Sequence, residues 1–362
     1  MTPARTAASG LAAGLLALTA ACSGGTADDG GADDPSASAG SEGAAPAPGV
    51  VPDATPGARA AAGWLAGAPD DGVVRTGGFD DYGLSIDVGL ALDEVGGHED
   101  TVAAITDAVR TDAAVYTTFR GDVYAGATAK ALAFLQGQGA DTGDLLAQLE
   151  GLVVADGPSE GRLADDADDD FSTVIGQAFG ARALVVAGSD EADRVASFLL
   201  DQQCADGFFR ASFASPNAAD ETCDGAPDAT PDADTTALAL LVVGPVAAEV
   251  DGGEAAMAAA ADWLLAAQRP DGGFVGSEGP GVNANTTGAA GWALGRWGET
   301  DAAAAAAAVV ADLQVAEGPD AGAVAYDAAA LDALGRRVGP DAADQFRRAT
   351  AQAAPALLWS GG

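Results

Sequence analysis

Residues 261–294, ADWLLAAQRPDGGFVGSEGPGVNANTTGAAGWAL, read as a helix, a turn and a second helix. Trp263, Leu264 and Leu265 open an apolar face, and Gln268 follows one turn later. Pro270-Asp271-Gly272-Gly273 is turn chemistry, because proline presets φ and glycine supplies a positive one. Phe274 packs the connection back, and Asn285 is placed to cap the second helix. That second helix is lined with small residues, which let another backbone approach closely. Neither helix can bury its apolar face alone, so the unit requires copies of itself.

The copies are present. Phe198 to Phe209 matches Trp263 to Phe274 without a gap, at an offset of 65 residues. Small-residue helices start near Ile86, Gly126, Ile175, Asp234, Asn285 and Ala325, at intervals of 40, 49, 59, 51 and 40 residues. A partner helix precedes each: around Trp64-Leu65, 101–115, 145–154, 198–203, 261–268 and 302–315. No run shows strand alternation. Six helix pairs suit a closed ring better than a rod, because a rod needs polar capping repeats and the first and last units here are as apolar as the rest. The expected architecture is therefore all-α, an (α/α)6 toroid with inner and outer helix rings.

The N-terminus reads as an export address. Leu11 to Thr19 is apolar but too short to span a bilayer. Ala20-Ala21-Cys22 follows, which resembles a bacterial lipoprotein signal in which the cysteine becomes the lipidated N-terminus. The expected division is a signal peptide over 1–21, a Gly/Ala/Pro-rich acidic tether over 22–57 that lacks aromatic residues, and the toroid over 58–362. The outer face of the cell membrane is the expected location. The single lysine, Lys130, among 16 basic residues fits the codon usage of a GC-rich actinobacterium. In an oxidising compartment Cys204 and Cys223 pair, closing the longest interval between units.

The formal charge is −38, and all but six of the 54 acids lie beyond residue 57. Such a surface repels nucleic acid and anionic membrane, so the expected partners are a small hydrophobic ligand or a surface protein, bound by a monomer.

The stretch Trp263-Leu264-Leu265…Gln268…Asp271-Gly272-Gly273-Phe274 resembles the Gln-Trp-type repeat of squalene-hopene cyclases and protein prenyltransferase β subunits. The resemblance extends, in degenerate units, over about 59–348 and implies the α/α toroid. It is specific for fold and unspecific for activity, because sites are grafted onto folds.

One stretch carries a possible chemistry through that resemblance. Pro231-Asp232-Ala233-Asp234-Thr235-Thr236 is similar to the Asp-x-Asp-Asp-Thr motif of class II terpene cyclases. The resemblance implies Asp234 as proton donor and Asp232 as its companion, with Thr235 standing where a third acid belongs. The competing reading makes Asp234 a helix N-cap, as Asn285 is in the next unit. Asp166-Ala167-Asp168-Asp169 matches the same motif within the run Asp165–Asp170, where a solvated loop or a calcium site are the readings. His98 is the only histidine, which argues against the Asp/Cys/His zinc of prenyltransferases and against a Ser-His-Asp triad. An inverting carboxylate pair remains an open reading among so many acids. Aromatic residues are 6% of the chain, too few to line a cavity for carbocations. The expected function is thus non-catalytic binding at the barrel mouth, without metal or cofactor. The alternative is a terpene cyclase-like isomerase or lyase acting through Asp234.

Overall fold

The computed structural model describes residues 49–214, 218–226, 229–277 and 279–361. The expected signal peptide, Cys22 and the expected tether as far as residue 48 lie outside the described residues. Among the described residues the helices are α1 (Pro56–Ala66), α2 (Tyr82–Val95), α3 (Glu99–Thr117), α4 (Ala125–Gly137), α5 (Leu145–Glu150), α6 (Val174–Ala187) and α7 (Ala192–Leu200). They continue with α8 (Ala233–Val243), α9 (Gly253–Ala267), α10 (Ala284–Trp297), α11 (Thr300–Asp312), α12 (Ala328–Asp332) and α13 (Pro340–Ala353). Two antiparallel hairpins, β1 (Val74–Thr76) with β2 (Phe79–Asp81) and β3 (Thr118–Phe119) with β4 (Asp122–Val123), precede α2 and α4. Their strands are too short to show alternation, which is why the sequence showed none.

The inner ring is α2, α4, α6, α8, α10 and α13, each packed on the next, and it closes where α13 packs on α2. α1, α3, α5, α7, α9 and α11 form the outer ring. Small residues make the inner contacts possible. A Cβ on Gly176 of α6 would sit 2.9 Å from the Gly126 Cα of α4, and one on Gly288 of α10 would collide with the Ala353 backbone of α13. Phe134, Phe209, Phe274 and Phe346 are fully buried between the layers, each worth roughly 2–3 kcal/mol relative to exposure.

The sixth inner helix is α13, not the segment from Ala325. That segment forms only the short α12, which has no buried residue. Register identifies α13: the Thr350 hydroxyl accepts the Val324 N–H at 2.8 Å, as Thr236 accepts that of Phe209 at 3.0 Å and Thr287 that of Phe274 at 3.0 Å.

A glutamine interlock runs round the outer ring. Gln203 Nε2 donates to Gly207 O and to Ala256 O of α9, both at 2.8 Å. Gln268 repeats this with Gly272 O at 3.0 Å and Ala302 O of α11 at 2.9 Å. Gln314 closes the circle with Gly322 O at 3.1 Å and Gly57 O of α1 at 3.0 Å. Gly272, at φ +87°, approaches α11 so closely that a Cβ would lie 2.5 Å from Ala305 O. Trp64 also meets the last unit, its indole N–H donating to Asp320 at 3.3 Å.

The chain before α1 crosses the far end of the barrel. Gly49 N donates to Arg296 O at 2.9 Å, at the C-terminal end of α10. Thr55 then caps α1 and its hydroxyl donates to Leu357 O at 2.8 Å. Cys204 and Cys223 form a disulfide with Cα atoms 4.9 Å apart.

Candidate functional site at the barrel mouth

The N-termini of the inner helices share one end of the barrel, and their caps form its mouth. Asp81, Thr173, Asp232 and Asn283 cap α2, α6, α8 and α10 by accepting the backbone N–H three residues on. Tyr124 cannot cap α4, so Asp165 from the next unit accepts Ala125 N at 2.7 Å.

The caps of α8 and α10 are Asp232 and Asn283, two residues before the expected Asp234 and Asn285. Asp232 Oδ1 accepts Thr235 N at 2.6 Å, and Asn283 Oδ1 accepts Thr286 N at 2.9 Å. Asp234 lies in the first turn of α8, where its carboxylate accepts the Thr286 hydroxyl of α10 at 3.1 Å. Thr286 is held in turn by the Asn283 side-chain amide at 3.0 Å. Asp232 and Asp234 therefore do different work: one ends its own helix, the other ties two inner helices together. Asp232 Oδ2 is buried with no hydrogen-bond partner among the described residues.

The acidic run is spent on its own loop. Asp165 also accepts Phe171 N at 2.9 Å, and Asp170 accepts Asp165 N at 3.2 Å and Ser172 N at 3.0 Å. Arg162 reaches Asp170 at 2.5 Å. Burial pushes the Asp165 carboxyl up despite its backbone bonds. Burial acts the same way on Asp170, but Ser172, the Asp165 N–H and Arg162 together hold it below the usual carboxylate range. Among the described residues no cluster of three or more metal-ligating side chains occurs.

Behind the mouth, inner helices exchange ion pairs that the sequence reading missed. Arg348 of α13 reaches the cap Asp81 at 2.6 Å. Lys130 of α4 meets Asp87 of α2 at 2.6 Å and donates to Gly83 O at 3.1 Å. Arg296 of α10 lies 3.7 Å from Glu94 of α2, spanning past α13. Burial raises the Glu94 carboxyl, with Arg296 and Trp292 pulling against it. Burial, with the charges of Asp87 and Asp81, also raises the Tyr116 phenol far above its usual value. Tyr82 is pushed up to about 12 by burial and by donating to Asp112 at 3.1 Å. The available signal was Asp87 and Glu94 at i and i+7 on a mostly apolar helix, which places both on one face.

The rim carries exposed aromatics. Phe79 follows the β1–β2 turn, Phe119 ends β3 and Phe171 precedes the cap of α6; they are 65%, 44% and 57% exposed. His98 lies at the other end, as the first residue before α3. Beside the mouth, the disulfide-held segment is clamped to the third unit. Buried Arg162 pairs with buried Glu221 at 3.5 Å and stacks 4.5 Å from the Phe213 ring, while Arg210 holds Gln202 and the Glu221 carbonyl.

No family model and no curated protein matches the sequence. Solved structures do match in fold. A protein from Actinoplanes is similar with a TM-score of 0.60 at 19% identity, over 83% of this chain and 97% of that one. The type II terpene cyclase MstE from Scytonema is similar with a TM-score of 0.56 at 16% identity, over 83% and 96%. An α-1,6-mannanase of Salegentibacter is similar with a TM-score of 0.53 at 10% identity, over 83% and 98%. At such identities the likeness shows the fold alone, and it spans two unrelated chemistries. The chain has the α/α toroid fold found in terpene cyclases and in a glycosidase.

Proposed function

We propose that this protein is an exported, lipid-anchored toroid that binds a ligand or partner at its mouth without chemistry. The observation that carries the reading is the set of ion pairs between inner helices: Asp81 with Arg348, Asp87 with Lys130 and Glu94 with Arg296. A cyclase guides carbocations through a dry aromatic cavity, whereas here the inner helices carry paired polar side chains, of which Lys130 and Asp81 are buried and Arg296 and Arg348 partly exposed. Asp234, the residue placed as proton donor, is engaged as an acceptor from Thr286 in the first turn of a helix. Anchoring at Cys22 complements the position of Gly49. The chain enters the described fold at the C-terminal end of α10, the end opposite the mouth.

The alternative, a terpene cyclase-like enzyme acting through Asp234, draws support from one feature: the Oδ2 of its companion Asp232 is buried without a hydrogen-bond partner among the described residues. Titrating the purified chain with a soluble isoprenoid diphosphate while following tryptophan emission separates the two, because Trp292 is a part-buried residue of α10. Non-catalytic binding of a macromolecule at the mouth predicts no saturable quenching. Saturable quenching at micromolar isoprenoid, accompanied by a cyclised product, would favour the enzyme.

A further inference from the structure

We infer that the rim of the first three units docks a polypeptide segment rich in lysine or arginine and carrying apolar side chains. The inference rests on the binding role proposed above and names the partner class. Phe79, Phe119 and Phe171 stand exposed on three consecutive segments at the mouth end. The segments are joined. Val123 and Asp166 exchange backbone hydrogen bonds of 3.0 and 2.9 Å, tying the β3–β4 hairpin to the loop that carries Phe171. The β1–β2 hairpin is tied to the end of α3, and so to β3, by the Tyr82–Asp112 bond and the Tyr82–Tyr116 ring pair at 6.4 Å. The sixth unit fixes the same hairpin through Arg347, which donates to Arg75 O at 3.1 Å.

Water-exposed phenylalanines on hydrogen-bonded segments favour an apolar partner, since removing their rings from water is favourable. Charge chooses among partners. Asp166, Asp168 and Asp169 are exposed beside these rings, on a chain of net charge −38, while Asp80 is paired with Arg75 at 3.0 Å. A second copy brings the same charge and is repelled, and an anionic membrane is repelled likewise. A basic segment is attracted by the acids and suits the rings, because guanidinium and ammonium groups favour aromatic faces. The rim holds one example already: the Arg120 guanidinium lies 5.0 Å from the centre of the Phe119 ring.

The test titrates the whole mature chain, at physiological ionic strength, with two synthetic peptides of equal length and equal leucine content. One carries lysine and arginine at its polar positions, the other glutamate. The comparison protein is the triple variant Phe79→Ser, Phe119→Ser, Phe171→Ser, whose net charge is unchanged and whose altered positions are exposed. Its thermal midpoint is measured alongside and should match the original. The expected result is one saturable site for the basic peptide, weakened at least tenfold in the triple variant, and no binding of the glutamate peptide. Equal affinity of the original and the triple variant would reduce the effect to bulk charge and overturn the inference. So would a rim-dependent dimer in sedimentation, or a basic-peptide affinity that rises tenfold when residues 23–48 are deleted, since a second copy or the chain's own segment would then be the occupant. The isoprenoid titration is a separate readout, so failure here leaves the non-catalytic reading standing.

Discussion

Asp232 and Asp234 show how far a residue's role depends on one step of register. The sequence offers Asp-x-Asp before α8 and Asn-x-Asn before α10, and both members of each pair are good cap residues. Cap preference alone therefore cannot choose between them. The choice falls to the residue whose own backbone is still extended: Asp232 at φ −132°, ψ 110° and Asn283 at φ −137°, ψ 159°. Asp234, the second member before α8, reaches across to Thr286 of α10, whereas the Asn285 side-chain oxygen is buried without a partner among the described residues. Asp232→Ala should cost about 1 kcal/mol in urea unfolding, and Asp232→Asn much less. Equal stability of all three proteins would contradict the cap assignment. Glu94 supplies a pH test. Its folded pKa is raised, chiefly by burial, above the ordinary 4.5. The neutral form is the one the fold favours, so this contribution is full below the unfolded pKa and is lost as pH rises through the folded one. Glu94→Gln should therefore gain in thermal midpoint relative to the original between pH 4 and pH 8. A gap that shrinks or reverses over that range would mean the Arg296 pairing outweighs burial.

At the scale of elements, the outer helices and the turn after each were legible, because Gln268, Gly272 and Phe274 each have a steric or hydrogen-bonding duty that no other residue type performs as well. Five inner helices were legible from their small residues. The sixth was not: α13 carries Gln345, Arg347 and Arg348 among its alanines, and the alanine-rich stretch after Ala325 reads as the better helix. What decides is the hydroxyl of Thr350 under Val324, a contact across 26 residues. Removing one interlock tests the ring's mortar. Gln268→Ala forfeits two hydrogen bonds to part-buried carbonyls and should cost about 1–3 kcal/mol. Gly272→Ala should cost about 1–2 kcal/mol from its left-handed backbone alone, before the clash with Ala305 O, whereas Gly279→Ala, with nothing near its Cβ, should be close to neutral. The disulfide is a second element-scale device. Reduction should cost roughly 3 kcal/mol or less for a loop of 19 residues, and thiol labelling of the unreduced, denatured chain should find neither Cys204 nor Cys223. Two labelled thiols would contradict the pairing.

For the molecule as a whole, the ring is closed by contacts between its two ends, Gln314 with Gly57 and Trp64 with Asp320. The closed architecture could be read from repeat count and from apolar terminal units. The site could not, because its ion pairs join residues far apart in sequence: Arg348 with Asp81, Arg296 with Glu94. Each partner read alone is one more charge in an acidic chain. Anchoring is a whole-molecule property and has its own test: Cys22→Ala should release the exported protein from the membrane fraction or leave it unprocessed. Processed variant that sediments with membranes as the original does would locate the anchor elsewhere. The central claim, a binding toroid rather than a cyclase, is tested most directly by turnover. Purified mature protein, incubated with a linear geranylgeranyl substrate and analysed by mass spectrometry, should return that substrate uncyclised, and Asp234→Asn should be indistinguishable from the original. A cyclised product formed by the original and absent with Asp234→Asn would contradict the account.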